Sequence, residues 1–158
     1  MPDQLTQHNI GALGDLVRLS LPATGTAAGA GDATTVTGVT IDRFSFSNGS
    51  MPRSALMGVL WEATLTTAKT LAIGYAVQDS ADGSTWADYQ TATYATVANG
   101  SSGLTPVGQF NVQVDLNSAR RFVRFNFNPD LNNSATDTFV TRAAGFFGGF
   151  DRLPAPNA

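Results

Sequence analysis

The sequence predicts an all-β protein: a single β-sandwich, jelly-roll-like, with extended N- and C-terminal arms. Three observations carry this. Several stretches alternate apolar and polar residues with the period of two that a half-buried strand requires. Phe110, Val112, Val114 and Leu116 set against Gln109, Asn111, Gln113 and Asp115 is the cleanest of them. Turn-forming residues recur at short intervals, at Asn48-Gly49, Asp82-Gly83, Asn99-Gly100 and Asn117-Ser118. No long stretch combines a helical period with a helix cap. Seven or eight strands result, without an internal repeat or a dividing linker. The expected boundaries are an N-terminal arm over 1–14, the sandwich over 15–150 and a C-terminal tail over 151–158.

In chain order, residues 1–14 are polar and aperiodic, and residues 15–21 read as a short, imperfect strand. Residues 22–33, rich in Gly, Ala and Thr, read as a loop of about 12 residues, long enough to be functional or held by a partner. Residues 34–46 hold Thr, Val, Ile and Phe, all good strand formers. Their apolar parity changes near Asp42-Arg43, which predicts a bulge or bend. Residues 55–65 are mostly apolar and lack a cap. They read as a strand buried on both faces.

Residues 71–94 form the hairpin around which the rest is organised. Leu71, Ile73, Tyr75 and Val77 share one face, Asp82-Gly83 supplies the turn, and Trp86 follows it. Residues 121–127 alternate again, with Val123, Phe125 and Phe127 inward and Arg124 and Asn126 outward. Residues 138–150 carry Phe139, Phe146, Phe147 and Phe150 among Gly145, Gly148 and Gly149, as a core strand whose glycines allow close backbone approach.

Composition narrows the function. Charged residues are 13% of the chain, about half the usual share. Surface charge keeps a lone protein dispersed, so this deficit points to a surface that meets another protein. A surface of uncharged polar residues is the alternative. The net charge of −3 offers no field for nucleic acid, so no nucleic-acid partner is expected. Eight of the nine basic residues are Arg, which suits ion-paired interfaces. With no cysteine there is no disulfide, thiolate site or Cys nucleophile. No apolar run reaches the roughly 18 residues of a membrane span, and Met1-Pro2-Asp3-Gln4 does not open a secretory signal, so neither membrane nor export is expected.

Chemistry-bearing residues are sparse. His8, the one histidine, lies in the arm, where no rigid catalytic base is expected. Asp79, Asp82 and Asp88 surround the Gly83 turn and offer hard oxygens for calcium. Their spacing does not follow the EF-hand loop, so a surface turn without metal or other cofactor is favoured. Glu62, the one glutamate, has no carboxylate partner for glycoside hydrolysis. Trp61, Trp86, Tyr75, Tyr89 and Tyr94 are core residues or a sugar-stacking platform, with Trp86 and Tyr89 the two named for stacking. Arg120, Arg121 and Arg124 form the one basic cluster and read as an ion-paired interface. Phe146, Phe147 and Phe150 are a core strand or a greasy docking patch.

Two segments carry a resemblance. Val77-Gln78-Asp79-Ser80-Ala81-Asp82-Gly83-Ser84-Thr85-Trp86 resembles the Q-x-S-x-D-G-x-T-W hairpin of small structural proteins of tailed bacteriophages. Ala119-Arg120-Arg121-Phe122-Val123-Arg124 resembles their A-R-Y-V-R strand. Both motifs also occur in discoidin-like, galactose-binding β-sandwich domains. Those modules often carry calcium or a disulfide, which the lack of cysteine and of a secretory signal does not match. The resemblance therefore implies a non-enzymatic virion component. It would be a capsid decoration (cement) protein made in the host cytoplasm, seated on the capsid surface and trimeric. Its partners would be copies of itself and the major capsid protein of the same particle, with Arg120, Arg121, Arg124, Phe146, Phe147 and Phe150 as contacts. A tail or head-fibre protein, or a carbohydrate-binding module using Trp86 and Tyr89, are the alternatives.

Overall fold

The computed structural model describes residues 11, 13–46, 50–101, 105–132 and 136–150. His8, most of the N-terminal arm, Asn48-Gly49 and the C-terminal tail lie outside the described residues. The strands are β1 (Gly14–Arg18), β2 (Ala23–Thr26), β3 (Ile41–Asp42), β4 (Ser54–Thr64), β5 (Thr70–Ser80), β6 (Ala87–Asn99), β7 (Val107–Asp115), β8 (Phe122–Leu131) and β9 (Thr138–Gly148).

They build two antiparallel sheets. One runs β1-β9-β4-β7, with β2 continuing along β9 beyond β1; the other runs β3-β8-β5-β6. Taken together, β1 and β2 occupy a single position, because they pair with successive halves of β9. The sheet orders then become first-eighth-third-sixth and second-seventh-fourth-fifth, which is jelly-roll topology. The core lies between the sheets. Met57, Val59, Leu71, Ile73, Val77, Val123, Phe125, Phe127, Phe139 and Phe147 are all buried there.

The alternation in the sequence explains most of this. Leu71, Ile73 and Val77 point inward from β5, Val112 and Val114 from β7 with Leu116 just beyond, and Val123, Phe125 and Phe127 from β8. The β5–β6 hairpin forms as expected. Gly83 takes φ +77°, and Oδ1 of Asp82 accepts from the backbone N–H groups of Ser84 and Thr85 at 2.8 and 2.7 Å. Pro129 sits within β8 without disrupting the sheet. Its carbonyl accepts from Ala33 N–H on the side away from β5, so the donor that the ring lacks would also have faced that open side.

Four expectations change. Residues 22–33 are not all loop, since Ala23–Thr26 pairs with β9. Residues 15–21 give a strand that starts one residue earlier and ends at Arg18. Residues 34–46 form no continuous strand with a bulge. They make one bridge, Val36 to Phe127, and the two-residue β3. The chain turns after Asp42, whose Oδ1 accepts from Phe44 N–H while its carbonyl accepts from Ser45. Finally, β4 is buried on one face only. Ala55, Met57, Val59, Trp61 and Ala63 point inward, but Leu56 and Leu60 are exposed.

Candidate functional site

The sandwich has two outer faces, and each carries a distinct set of groups. On the β3-β8-β5-β6 sheet, the three arginines come together at one end, and each already has a partner within the chain. Arg120 donates from Nε and Nη2 to Oδ1 of Asp79 at 2.9 and 2.7 Å, and its backbone N–H reaches Oδ2 at 2.8 Å. Arg121 clamps Asp42 in a bidentate pair at 2.9 and 2.6 Å, between the rings of Phe44 and Phe122. Arg124 donates twice to Oε1 of Gln78, at 2.8 and 2.7 Å, and its guanidinium lies 4.2 Å from the Trp86 ring centre.

These contacts set the carboxylates. Asp42 lies below the usual carboxylate range, chiefly because Arg121 hydrogen-bonds its charged form. Burial pushes Asp79 upward, but its several bonds to Arg120 outweigh this and leave it lowered. Asp82 is held far down by the backbone N–H groups of its turn. Asp88 accepts from Gln78 at 2.7 Å. The three aspartates around Gly83 therefore face three different partners. Among the described residues, no group of three or more His, Cys, Asp or Glu could hold a metal.

The two residues named for stacking are also engaged. Arg124 covers one face of Trp86. The hydroxyl of Tyr89 donates to the Asp115 carbonyl at 2.5 Å and meets Ser118 Oγ at 2.9 Å. With Gln90, which donates to the Gln113 carbonyl at 3.3 Å, Tyr89 ties the free edge of β7 to β6. Such ties blunt an edge that would otherwise invite another strand. Trp61 and Tyr75 pack inward.

The other outer face, on β1-β9-β4-β7, is where the apolar surface gathers. Leu16, Phe146 and Leu56 stand side by side across three strands. Leu60 lies further along β4, and Val140 and Val107 flank Glu62 at the far end. Leu16 is 77% exposed, Val107 68% and Leu60 53%. Among the described residues, five of the eight exposed large hydrophobic side chains lie on this one face: Leu16, Leu56, Leu60, Val107 and Val140. Of the C-terminal phenylalanines, Phe146 reaches this face. Phe147 and Phe150 turn into the core against Phe46, with ring centres 5.3 and 5.7 Å apart.

Sequence reasoning named Phe146 but missed Leu16, Leu56, Leu60, Val107 and Val140. A signal existed. A two-layer sandwich buries one face of each strand, so a strand apolar on both faces demands a third layer. The sequence offers no helix to supply it.

Among solved structures, the chain is similar to the VP2 subviral particle of infectious bursal disease virus, at 13% identity and a TM-score of 0.46, over 91% of this chain and 34% of that one. It is likewise similar to T=1 particles derived from infectious bursal virus, at 14% identity and a TM-score of 0.44, over 86% of this chain and 31% of that one. The chain thus spans about a third of the length of the structures it matches. No family model matches it, and no curated protein does. At this distance the fold assignment rests on the strand registers alone.

Proposed function

We propose that the chain is a non-enzymatic virion structural protein that docks through the outer face of its β1-β9-β4-β7 sheet. Its finer role is that of a capsid decoration protein bound to the assembled shell. The observation that carries this reading is the apolar strip of Leu16, Phe146, Leu56, Leu60, Val140 and Val107. Soluble monomers rarely leave so many large hydrophobic groups on one face, and such patches mark protein interfaces. Three features support it: the low charge content, a topology found in capsid and lectin domains, and the two motifs resembling phage structural proteins. The mechanism is mass action. A protein that binds the closed shell but not loose subunits shifts assembly toward the shell.

The test is the double substitution Leu56→Asp with Leu60→Asp. Both side chains point outward, so the variant should fold with wild-type circular dichroism. Light scattering across a concentration range should show a closed oligomer, a trimer on this reading, for the wild type and a monomer for the variant. Particles grown with the variant should lack the protein. Wild-type assembly and incorporation by the folded variant would sink the proposal.

A further inference from the structure

The outer face of the β3-β8-β5-β6 sheet holds a cleft of about 270 Å³, just under the usual range for ligand sites and room for one small ring. Its floor is Gly74 and Ala76, successive outward positions on the central strand β5, so the floor is largely backbone. Asn128 and Asn126 stand opposite them on β8. Tyr94 of the edge strand β6 forms the other wall, and Thr35 also lines the cleft. Tyr94 is 46% exposed, and its ring lies 3.6 Å from the place a Gly74 Cβ would occupy. The missing side chain at Gly74 is what opens the space beside the ring.

All six of these residues are neutral. Asn126 is committed, accepting from Gly38 N–H at 3.0 Å and donating to Gln78 at 2.9 Å. Asn128 differs, because its Oδ1 is buried without a hydrogen-bond partner. That oxygen is itself out of reach of solvent, so a bound donor relieves the cost only when the Asn128 amide turns toward the cleft. Anions are disfavoured here. Burial first, and then the nearby carboxylates of Asp130 and Asp32, raise the Tyr94 hydroxyl, so the local field is negative. A concave surface with one open aromatic ring, neutral amides and hydroxyls, and a backbone floor fits a ring that is apolar on its face and hydroxylated at its rim.

We propose that this cleft binds a neutral monosaccharide ring, with Tyr94 stacking on its C–H face and the Asn128 amide hydrogen-bonding its hydroxyls. The site stands on the sheet opposite the apolar strip and stays open when that strip is covered. It does not use Trp86 or Tyr89.

The test is saturation-transfer NMR on the wild-type protein with the methyl glycosides of glucose, galactose, mannose and N-acetylglucosamine at millimolar concentration. Transfer to the ring protons of at least one glycoside is expected. Tyr94→Ala should weaken binding about tenfold, the loss of one modest contact. Gly74→Val, whose side chain fills the floor, should abolish it. Both variants should fold. Tyr94 is half exposed on an edge strand, and a Cβ at Gly74 meets its neighbours no closer than 3.6 Å. Trp86→Ala should bind as wild type. Three outcomes overturn the proposal: no transfer to any of the four, transfer undiminished in Tyr94→Ala, or transfer lost in Trp86→Ala.

Discussion

Arg43 is a buried cation whose hydrogen bonds all go to backbone carbonyls. It is 2% exposed, and its guanidinium donates to the carbonyls of Ala119, Arg120, Pro52 and Leu116. Burial lowers its pKa, yet an arginine stays charged well above neutrality. One side chain thus joins the chain after β3, the segment before β4 and the turn before β8. Replacing it with Met keeps the bulk but strands these carbonyls, so Arg43→Met should cost about 3 kcal/mol, read from urea unfolding. Lys should rescue little, because its ammonium cannot fork toward carbonyls on two separate segments.

The aspartates set how stability changes with pH. Asp42, Asp79 and Asp82 all sit below the ordinary carboxylate value in the folded chain. Their contribution is therefore complete above about pH 4 and is lost as pH falls below it. Asp130 runs the other way. Burial, then Asp32, raises it, so its contribution is present at low pH and fades as pH rises past the ordinary carboxylate value. Thermal midpoints should stay nearly flat from pH 7 to about 5 and fall steeply below 4, and Asp130→Asn should raise the midpoint at pH 7 but not in acid. At this scale the sequence placed Arg120, Arg121 and Arg124 in one cluster, but their acceptors, distant in the chain, come from strand pairing. Spacing alone could not show that reversing Arg120 or Arg121 would also break a pair with Asp79 or Asp42.

Strands that alternate strictly were readable; strands defined by their neighbours were not. The β5–β6 hairpin is encoded locally, with alternating residues on β5 and a turn sequence that tolerates positive φ. Residues 34–46 have strand composition, but Gly38 lies against the Phe125 carbonyl, only 2.2 Å from where its Cβ would sit, and the segment packs over β8 with little ladder. Propensity reports neither outcome. Turn positions offer a paired check on this view. Gly83 at φ +77° suits glycine, whereas Ala68, in the β4–β5 turn, holds φ +63° with a Cβ. Gly83→Ala should destabilise by about 1 kcal/mol, and Ala68→Gly should stabilise by somewhat less, because glycine loses more entropy on folding. Equal and small effects at both sites, in chemical denaturation, would show that the hairpin is held by its strands rather than by its turns.

At the scale of the whole molecule, the two outer faces predict different physical signatures for assembly. The arginine end is charged, but its charges are already neutralised by Asp42 and Asp79 or bonded to Gln78. The β1-β9-β4-β7 face carries the apolar strip, set among exposed polar neighbours such as Arg142, Glu62 and Gln109, and is unpaired with any layer among the described residues. Association through the arginines would weaken sharply with salt, since exposed charges are screened within about 10 Å at 0.1 M. Association through Leu16, Phe146, Leu56 and Leu60 would ignore sodium chloride and strengthen with sulfate, which drives apolar surface out of water. The expected result is the second. Oligomer mass, or occupancy on purified shells, should change by less than about twofold between 0.05 and 0.5 M sodium chloride and should rise in sulfate at equal ionic strength. A steep loss with chloride would transfer the interface to the arginine end. It would also leave the apolar strip needing another occupant, because a two-layer sandwich has no third layer of its own to cover it.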